Sequence, residues 1–178
     1  MPKLPEFHQR DTRSADHRGK DLRAGFTLDL RLRLDSLSPG QEILDSRDAA
    51  GKGILVSTTP AGMLKITLND GRSESSWDCD RGALEAGKTH HVVITVDGGP
   101  KIITFVVDGV LCDGGDQRQF GWGRFSPHLR APNPDRGTVA NVPPLRIAPK
   151  MTGAVQSLRV YNRALRAGEA VGNWHAGR

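Results

Sequence analysis

The stretch HHVVITVDGGPKIITFVVDG, residues 90–109, predicts the hairpin around which the rest of the chain folds. Two runs rich in valine and isoleucine flank the turn Gly98–Pro100. Branched side chains favour strands, and adjacent glycines favour a tight reversal. A turn centred on the two glycines brings four apolar side chains to one face: Val92 opposite Phe105, and Ile94 opposite Ile103. The other face is half-apolar, as in a hairpin inside a larger antiparallel sheet. Since Pro100 cannot donate a ladder hydrogen bond, a longer loop or a register shift by one residue stays open.

The remaining segments continue this β pattern. Residues 26–34 alternate strictly, with Phe26 and four leucines on one face and polar side chains on the other, which predicts a strand with one buried face. Further strands are predicted over residues 43–46, 53–58, 63–68, 72 to about 77, 145–148 and 155–161. One short helix is predicted over residues 163–172. Roughly ten to thirteen short strands with almost no helix indicate an all-β chain of two packed antiparallel sheets.

Length and composition bound the domain organisation. The 178 residues fit one domain with a sizeable core, and 37% hydrophobic with 25% charged residues argue against global disorder. Residues 25–178 are predicted to form this domain, and residues 1–24 a lead-in segment with room for a short edge strand. No apolar run reaches the roughly 20 residues that cross a bilayer. The charged N-terminus does not resemble a secretory signal, although an excised domain would lack one too.

The net charge of +5 comes mostly from arginines scattered along the chain. No block of about five or six like charges forms, and stacking aromatics are few, so nucleic-acid binding is the least favoured function. The charge is interpreted mainly as solvated surface, with binding to a polyanion as the alternative.

Two cysteines, Cys79 and Cys112, flank the predicted hairpin. Because both ends of a hairpin lie at the same edge of a sheet, the loop over residues 80–88 can return Cys79 beside Cys112. A disulfide between them would close a loop of about 34 residues and add roughly 3–4 kcal/mol of stability. It would also imply an oxidising compartment. The alternative is a pair of buried free thiols.

Four segments carry a resemblance to a known family. FTLDLRLRL at residues 26–34, a strand pair around ILDSRD at residues 43–48, the paired strands of residues 88–109 and, most specifically, GAVQSLRVYNRALRAGEA at residues 153–170 resemble a laminin-G-like domain. This family belongs to the concanavalin-A-like jelly-roll superfamily of lectins and glucanases. The resemblance implies a two-sheet antiparallel jelly-roll sandwich whose last strand returns beside the first. Such modules are commonly attached to secreted bacterial glycoside hydrolases, sialidases and surface proteins, where they bind glycans or hold domains together.

The resemblance therefore predicts a non-catalytic, lectin-like accessory module of a secreted or cell-surface bacterial protein. Its expected partners are a carbohydrate, including acidic glycans, and a neighbouring domain of a larger parent protein, with no nucleic acid and no membrane insertion. The alternative is a structural or interaction module that packs on a neighbouring domain without binding sugar. Because one fold hosts many functions, the choice depends on the site.

Glucanases of the same superfamily are a third option. They resemble one another in a strand that bears Glu-x-Asp-x-(x)-Glu, and retaining hydrolysis needs two carboxyl groups about 5–5.5 Å apart. None of the glutamates of this chain lies in such a motif: Glu6, Glu42, Glu74, Glu85 and Glu169. No catalytic residue is therefore predicted.

Metal binding has weak support. His90 and His91 are adjacent in a strand and point to opposite faces, which prevents them from chelating one ion together. The related modules often carry calcium on the sheet rim, and Asp113, Gly114 and Asp116 are the residues that could hold it. Acidic residues are also common as turn caps, so calcium stays an option and no ligand is assigned.

The strongest candidate for binding is the glycine-rich loop DGGDQRQFGWGRFSPHLR, residues 113–130. A sugar needs a flat aromatic face for its C–H surface and planar polar groups for its hydroxyls or carboxylate, and the fork of arginine suits a carboxylate. The predicted glycan-binding residues are Arg118, Trp122, Arg124 and His128. In the alternative, the aromatic residues of the loop plug a sheet edge and the arginines pair with nearby aspartates.

Overall fold

The computed structural model describes residues 25–126, 129 and 144–177, and these residues form two packed antiparallel sheets. The strands, in chain order, are β1 (Phe26–Leu34), β2 (Glu42–Asp45), β3 (Gly53–Thr58), β4 (Leu64–Asn69), β5 (Glu74–Asp78), β6 (Thr89–Asp97), β7 (Ile102–Val107), β8 (Val110–Leu111), β9 (Trp122–Arg124), β10 (Arg146–Lys150) and β11 (Gly153–Tyr161). A 3-10 turn at Gly115–Gln117 precedes β9, and helix α1 (Ala167–Ala176) follows β11. The lead-in assigned to residues 1–24 lies outside the described residues.

The topology is that of the expected jelly roll. One sheet has six strands in the order β11-β1-β6-β7-β8, with β9 also paired to β7, and the other has five in the order β10-β2-β3-β4-β5. The last strand lies beside the first, in the register Leu30 opposite Leu158. The prediction of an all-β, two-sheet antiparallel sandwich is therefore confirmed.

The core lies between the two sheets and contains the apolar face of each predicted strand. In β1, the inward face that the alternating pattern predicts is buried at every position: Phe26, Leu28, Leu30, Leu32 and Leu34. The facing sheet contributes side chains such as Ile54, Val56, Leu64 and Ile66. Alternation with period two is thus sufficient to place these side chains.

The central hairpin forms, but its register differs from the predicted one by two residues. Ile94 pairs with Phe105 rather than with Ile103, because the reversal takes four residues, 98–101. Lys101 has a φ of 64° within it. A shift of two residues keeps every side chain on its predicted face.

Helix α1 begins four residues later than predicted, at Ala167. The Leu165 backbone N–H donates to Thr27 Oγ1 at 2.9 Å, and that hydroxyl donates to the Arg163 carbonyl at 2.9 Å. These two bonds hold the segment before the helix in an extended form against β1. Glu169 then accepts the Arg166 backbone N–H at 2.9 Å, which fits a helix start at the next residue.

The helix covers part of the outer face of the six-stranded sheet. Ala170 and Val171 pack on Val93 of β6 and Val106 of β7. This contact explains why the second face of the central hairpin is half-apolar. Within the described part of the chain, no helix is long and apolar enough to span a membrane.

Candidate functional site

Strand β9 turns part of the predicted binding loop into an edge of the six-stranded sheet. Trp122 pairs with Thr104 and Arg124 with Ile102, so both side chains lie on the outer face. Gly123 between them faces inward, onto the indole of Trp77. A Cβ atom there would lie 2.2 Å from Trp77 Cδ2, so glycine is required for this close approach.

An exposed aromatic pair stands on this edge. Phe120 is 49% exposed and Trp122 is 38% exposed. Their ring centroids are 5.1 Å apart, with the planes inclined by 34°. Arg124 is exposed on the same face of β9, two residues beyond Trp122. We call Phe120, Trp122 and Arg124 the aromatic platform.

A cleft of about 350 Å³ adjoins the platform at Arg124. It is lined by Pro100, Lys101, Arg124, Phe125 and Ser126. Phe125 is buried and forms part of the core, with Lys101 Nζ 5.4 Å from its ring centroid. Of the loop aromatics, Phe125 therefore fits the interpretation as an edge plug, whereas Phe120 and Trp122 do not. The cleft adds two cationic side chains beside the exposed rings.

Arg118, which the sequence assigned to the same site, is engaged within the fold. Its guanidinium donates to Asp78 Oδ1 at 2.6 Å, to Asp80 Oδ1 at 2.9 Å and to two backbone carbonyl oxygens at 3.2 Å. Its Cζ also lies 4.4 Å from the Trp77 ring centroid. These contacts match the alternative in which an arginine pairs with nearby aspartates. His128, the fourth predicted residue, lies outside the described residues.

The start of the loop is held by carboxylates acting as caps. Asp80 accepts the backbone N–H groups of Asp113 and Gly114, at 2.9 and 3.1 Å. Asp113 Oδ1 in turn accepts the Gly115 N–H at 2.9 Å, which is an Asx turn. No three potential metal ligands gather at one point among the residues that the structure describes. Asp113 Oδ1, one of the oxygens suggested for calcium, is thus used to shape the turn.

The structure does not contain the predicted disulfide: Cys79 and Cys112 are both free, buried thiols, which is the alternative that the sequence left open. Cys79 Sγ accepts the Leu64 backbone N–H at 3.3 Å, and Cys112 Sγ accepts the Asp80 N–H at 3.5 Å. Burial raises the pKa of Cys79 to about 12 and that of Cys112 to about 11. Both thiols are therefore protonated at neutral pH in the folded protein, and neither is a reactive nucleophile there.

Thiol titration checks this correction. At pH 8, fewer than about one in a thousand of these thiols is ionised, so the native protein should react slowly with a thiol reagent. After denaturation without reductant, Cys79 and Cys112 should both titrate. Absence of free thiol in that denatured sample would restore the disulfide.

The carboxylates with shifted pKa values are suited to ion pairing rather than proton transfer. Burial acts to raise the pKa of Asp45, but hydrogen bonds from Arg47 and the charges of Arg47 and Arg146 bring it below its usual value. The hydrogen bond from Arg163, with that from the Arg166 backbone, lowers the pKa of Glu169 to about 2. A glycosidase acid needs a raised pKa, and neither group has one.

The adjacent histidines point to opposite faces, and each has its own carboxylate. His90 lies on the inner side, where Nδ1 is 2.7 Å from Asp108 Oδ2 and Nε2 accepts the Glu85 backbone N–H at 2.9 Å. His91 lies on the outer face, with Nε2 2.9 Å from Asp29 Oδ1. Because these partners lie on opposite faces, the two rings cannot share one ion.

Sequence reasoning did not name Lys101 as a neighbour of the site. The antiparallel pairing of β9 with β7 brings it there, since Phe125 N–H donates to the Lys101 carbonyl at 3.0 Å. The local signal is weak, because a strand as short as β9, with three residues, rarely specifies which distant strand it will pair with.

The fold defines a two-sheet jelly roll, and the platform lies at one edge of it. A laminin-G family model, described as "Concanavalin A-like lectin/glucanases superfamily", matches residues 10–170. The chain therefore belongs to the laminin-G-like family of this superfamily. A sequence search of curated proteins finds no match.

Solved structures share the fold at low sequence identity. The Ruminococcus gnavus IT-sialidase CBM40 bound to α2,3-sialyllactose has a TM-score of 0.62 and 15% identity, covering 97% of this chain and 95% of that one. The leech intramolecular trans-sialidase complexed with 2,7-anhydro-Neu5Ac has a TM-score of 0.57 and 15% identity, covering 95% of this chain and 26% of that one. The binding domain of botulinum neurotoxin serotype C1 has a TM-score of 0.56 and 13% identity, with coverages of 87% and 37%.

Proposed function

We propose that this domain is a non-catalytic, glycan-binding accessory module. The observation that carries the proposal is the exposed ring pair Phe120–Trp122 beside Arg124. Contiguous exposed apolar surface, unlike a single exposed apolar side chain, often marks a binding site. Trp122 lies on β9, whose position is fixed by the contact of Gly123 with Trp77, and Phe120 precedes this strand by two residues, so the platform is presented on a rigid element.

The chemistry of the platform suits an acidic sugar. The indole of Trp122 offers a flat apolar surface to the C–H face of a pyranose ring, and Arg124 offers a fork for a carboxylate. Lys101 in the adjoining cleft supplies a second positive charge. Support for the acidic class comes from the sialyllactose-bound CBM40 module, which has the same fold. Arg118 stabilises the loop in this proposal and does not bind the ligand.

The proposal extends to the setting of the module. We place it in a secreted or cell-surface bacterial protein, attached to a neighbouring domain, as the resemblance implies. The free thiols remove the disulfide as support for this location, so it depends on the family alone.

A second candidate function is an interaction module without sugar binding. The observation that favours it is the short edge strand β8, whose Val110 and Leu111 are both exposed. Because β8 and β9 both pair with β7, these side chains and the aromatic pair lie at the same edge of the sheet. A neighbouring domain docked on this edge would cover them.

Trp122→Ala tests whether Trp122 binds sugar or is only part of the scaffold. Binding of 3′-sialyllactose, measured by calorimetry, should weaken at least ten-fold, and Arg124→Ala should weaken it similarly, because a charged hydrogen bond is worth about 1.5–3 kcal/mol. The melting temperature of Trp122→Ala should change little. A buried scaffold tryptophan would instead cost about 3–5 kcal/mol of stability on truncation.

Arg72→Ala is the matched control, since Arg72 is exposed in the β4–β5 turn. It should bind as the parent chain does. A glycan array on which the parent chain binds no acidic or neutral glycan would favour the interaction module.

A further inference from the structure

We propose a second ligand site, on the outer face of the six-stranded sheet, that takes the carboxylate of one acidic sugar residue. The site is a cavity of about 350 Å³ between β1, β11 and α1. Its walls are formed by Arg31, Gln156, Ser157, Arg159 and Asn173. It lies on the same face of the sheet as the aromatic platform but towards the opposite edge, about 15–20 Å away by the usual strand spacing, and does not depend on that platform.

Two guanidinium groups line this cavity, those of Arg31 and Arg159. Ser157 lies opposite Arg31 and Asp29 lies opposite Arg159, so the two arginines are diagonal neighbours across β1 and β11. Over the described parts of the chain, neither makes an ion pair. Arg33, on the same face of β1, is by contrast paired with Asp35 at 3.0 Å. A bound anion would offset the repulsion between the two unpaired charges.

The carboxylate at the floor of the cavity, that of Asp29, is already hydrogen-bonded within the fold. Asp29, 2% exposed, accepts from His91 Nε2 at 2.9 Å and from Asn173 Nδ2 at 2.8 Å. Asn173 also donates to the Tyr161 hydroxyl at 3.1 Å. Both carboxylate oxygens are thus occupied, and the same bonds fix the helix wall of the cavity. The arginines above it are left to an incoming ligand.

Arg31 is held in a suitable orientation. Its Cζ lies 5.9 Å from the centroid of the Trp174 ring, and that ring stacks on His91 with centroids 5.8 Å apart. A guanidinium over an aromatic ring keeps its N–H edges free for a bidentate bond to a carboxylate.

Polar groups beside the arginines favour a sugar over a simple anion. A bulge in β11 falls at Gln156, and bulges re-aim side chains. Gln156 Nε2 donates to Thr89 Oγ1 at 3.1 Å, which leaves the amide oxygen to accept from a sugar hydroxyl, and the Ser157 hydroxyl can bond another. The cavity volume of about 350 Å³ lies near the lower end of the range for ligand pockets, so it suits one sugar residue rather than an oligosaccharide.

An NMR titration of the whole chain tests the site. N-acetylneuraminic acid and glucuronic acid should each cause saturable shifts at Ser157, Arg159 and Asn173, whereas galactose should not. Arg31→Ala and Arg159→Ala should each weaken this binding ten-fold or more. Arg31→Lys keeps the charge but loses the fork, so it should bind several-fold more weakly than the parent.

Arg33→Ala is the matched control, because it removes an arginine on the same strand and face that already has its own carboxylate. It should leave the affinity unchanged. The absence of saturable shifts at these residues would overturn the proposal, as would inorganic sulfate binding there as tightly as either sugar acid.

Trp122→Ala distinguishes the two sites. It should abolish shifts at the platform and leave those at Ser157 and Arg159 intact. Binding confined to the platform would refute the second site alone. Binding confined to the cavity would refute the platform alone.

Discussion

Asp29→Ala is expected to lower the free energy of unfolding by about 2–4 kcal/mol, because it leaves one buried and one half-buried donor without the acceptor they share. The substitution removes the Asp29 acceptor from His91 Nε2, which is buried, and from Asn173 Nδ2, which is half-buried. Because Asn173 belongs to α1, the loss should also loosen the helix from the sheet. Denaturant unfolding gives the free energy, and hydrogen exchange of the α1 amides reports the loosening.

Asp35→Ala is the control for this prediction. Asp35 follows the same strand and pairs with Arg33, but both side chains are about half exposed. Exposed ion pairs contribute about 0–1 kcal/mol, so the control should unfold almost as the parent does. Equal stabilities for the two variants would show that the Asp29 network does not secure the helix.

The fold was predictable because its main signal is local. The strict alternation of residues 26–34 assigns each side chain to a face, and the structure buries the apolar face completely. The hairpin register was displaced by two residues, since a turn of glycines and Pro100 allows more than one loop length. Displacement by an even number preserves the faces, so the core was still predicted correctly.

The candidate site was less predictable because its parts come from distant segments. The sequence gives the same reason to assign Arg118, Trp122 and Arg124 to the site. In the structure, Arg118 forms ion pairs with Asp78 and Asp80. Trp122 and Arg124 are instead exposed on β9. Whether an arginine of the loop forms an ion pair depends on how closely β5, which ends at Asp78, approaches that arginine. No local pattern encodes that approach.

The cysteines illustrate the same limit in a different way. The sequence predicted that the segments around Cys79 and Cys112 lie side by side. The structure agrees, since Cys112 Sγ accepts the N–H of Asp80, the residue after Cys79. The chemical state depends on burial, which pairs of cysteines in a sequence do not reveal. A buried cysteine behaves as a small apolar side chain.

Arg31 and Arg159 show what strand pairing adds. In the sequence, Arg31 is one polar residue on a wet strand face, and Arg159 lies in a strand more than a hundred residues later. The pairing of β1 with β11 brings the two charges to one cavity. Prediction of such a site needs the register as well as the strands.

Gly123→Val is expected to destabilise the protein by about 3 kcal/mol or more, because it inserts a branched side chain where no space exists. Even the Cβ atom would lie 2.2 Å from Trp77 Cδ2 and 2.3 Å from Trp77 Cε3, and both atoms belong to a rigid ring. The indole must shift, and with it the Arg118 guanidinium that lies over it. Relief of the clash moves β9 away from the facing sheet, so the platform should lose its geometry together with its stability. Thermal melting and 3′-sialyllactose binding should therefore both be impaired.

Gly172→Val supplies the same change at an exposed helix position where an added Cβ meets nothing within 4 Å. It should alter stability by no more than about 0.5 kcal/mol, as expected for an exposed surface substitution. Trp122→Ala adds the second comparison, since it should lose binding at nearly full stability. If Gly123→Val melts as the parent does, the contact between β9 and Trp77 is not what fixes the platform. If it melts low but binds normally, the sugar is not held by β9, and the platform proposal fails.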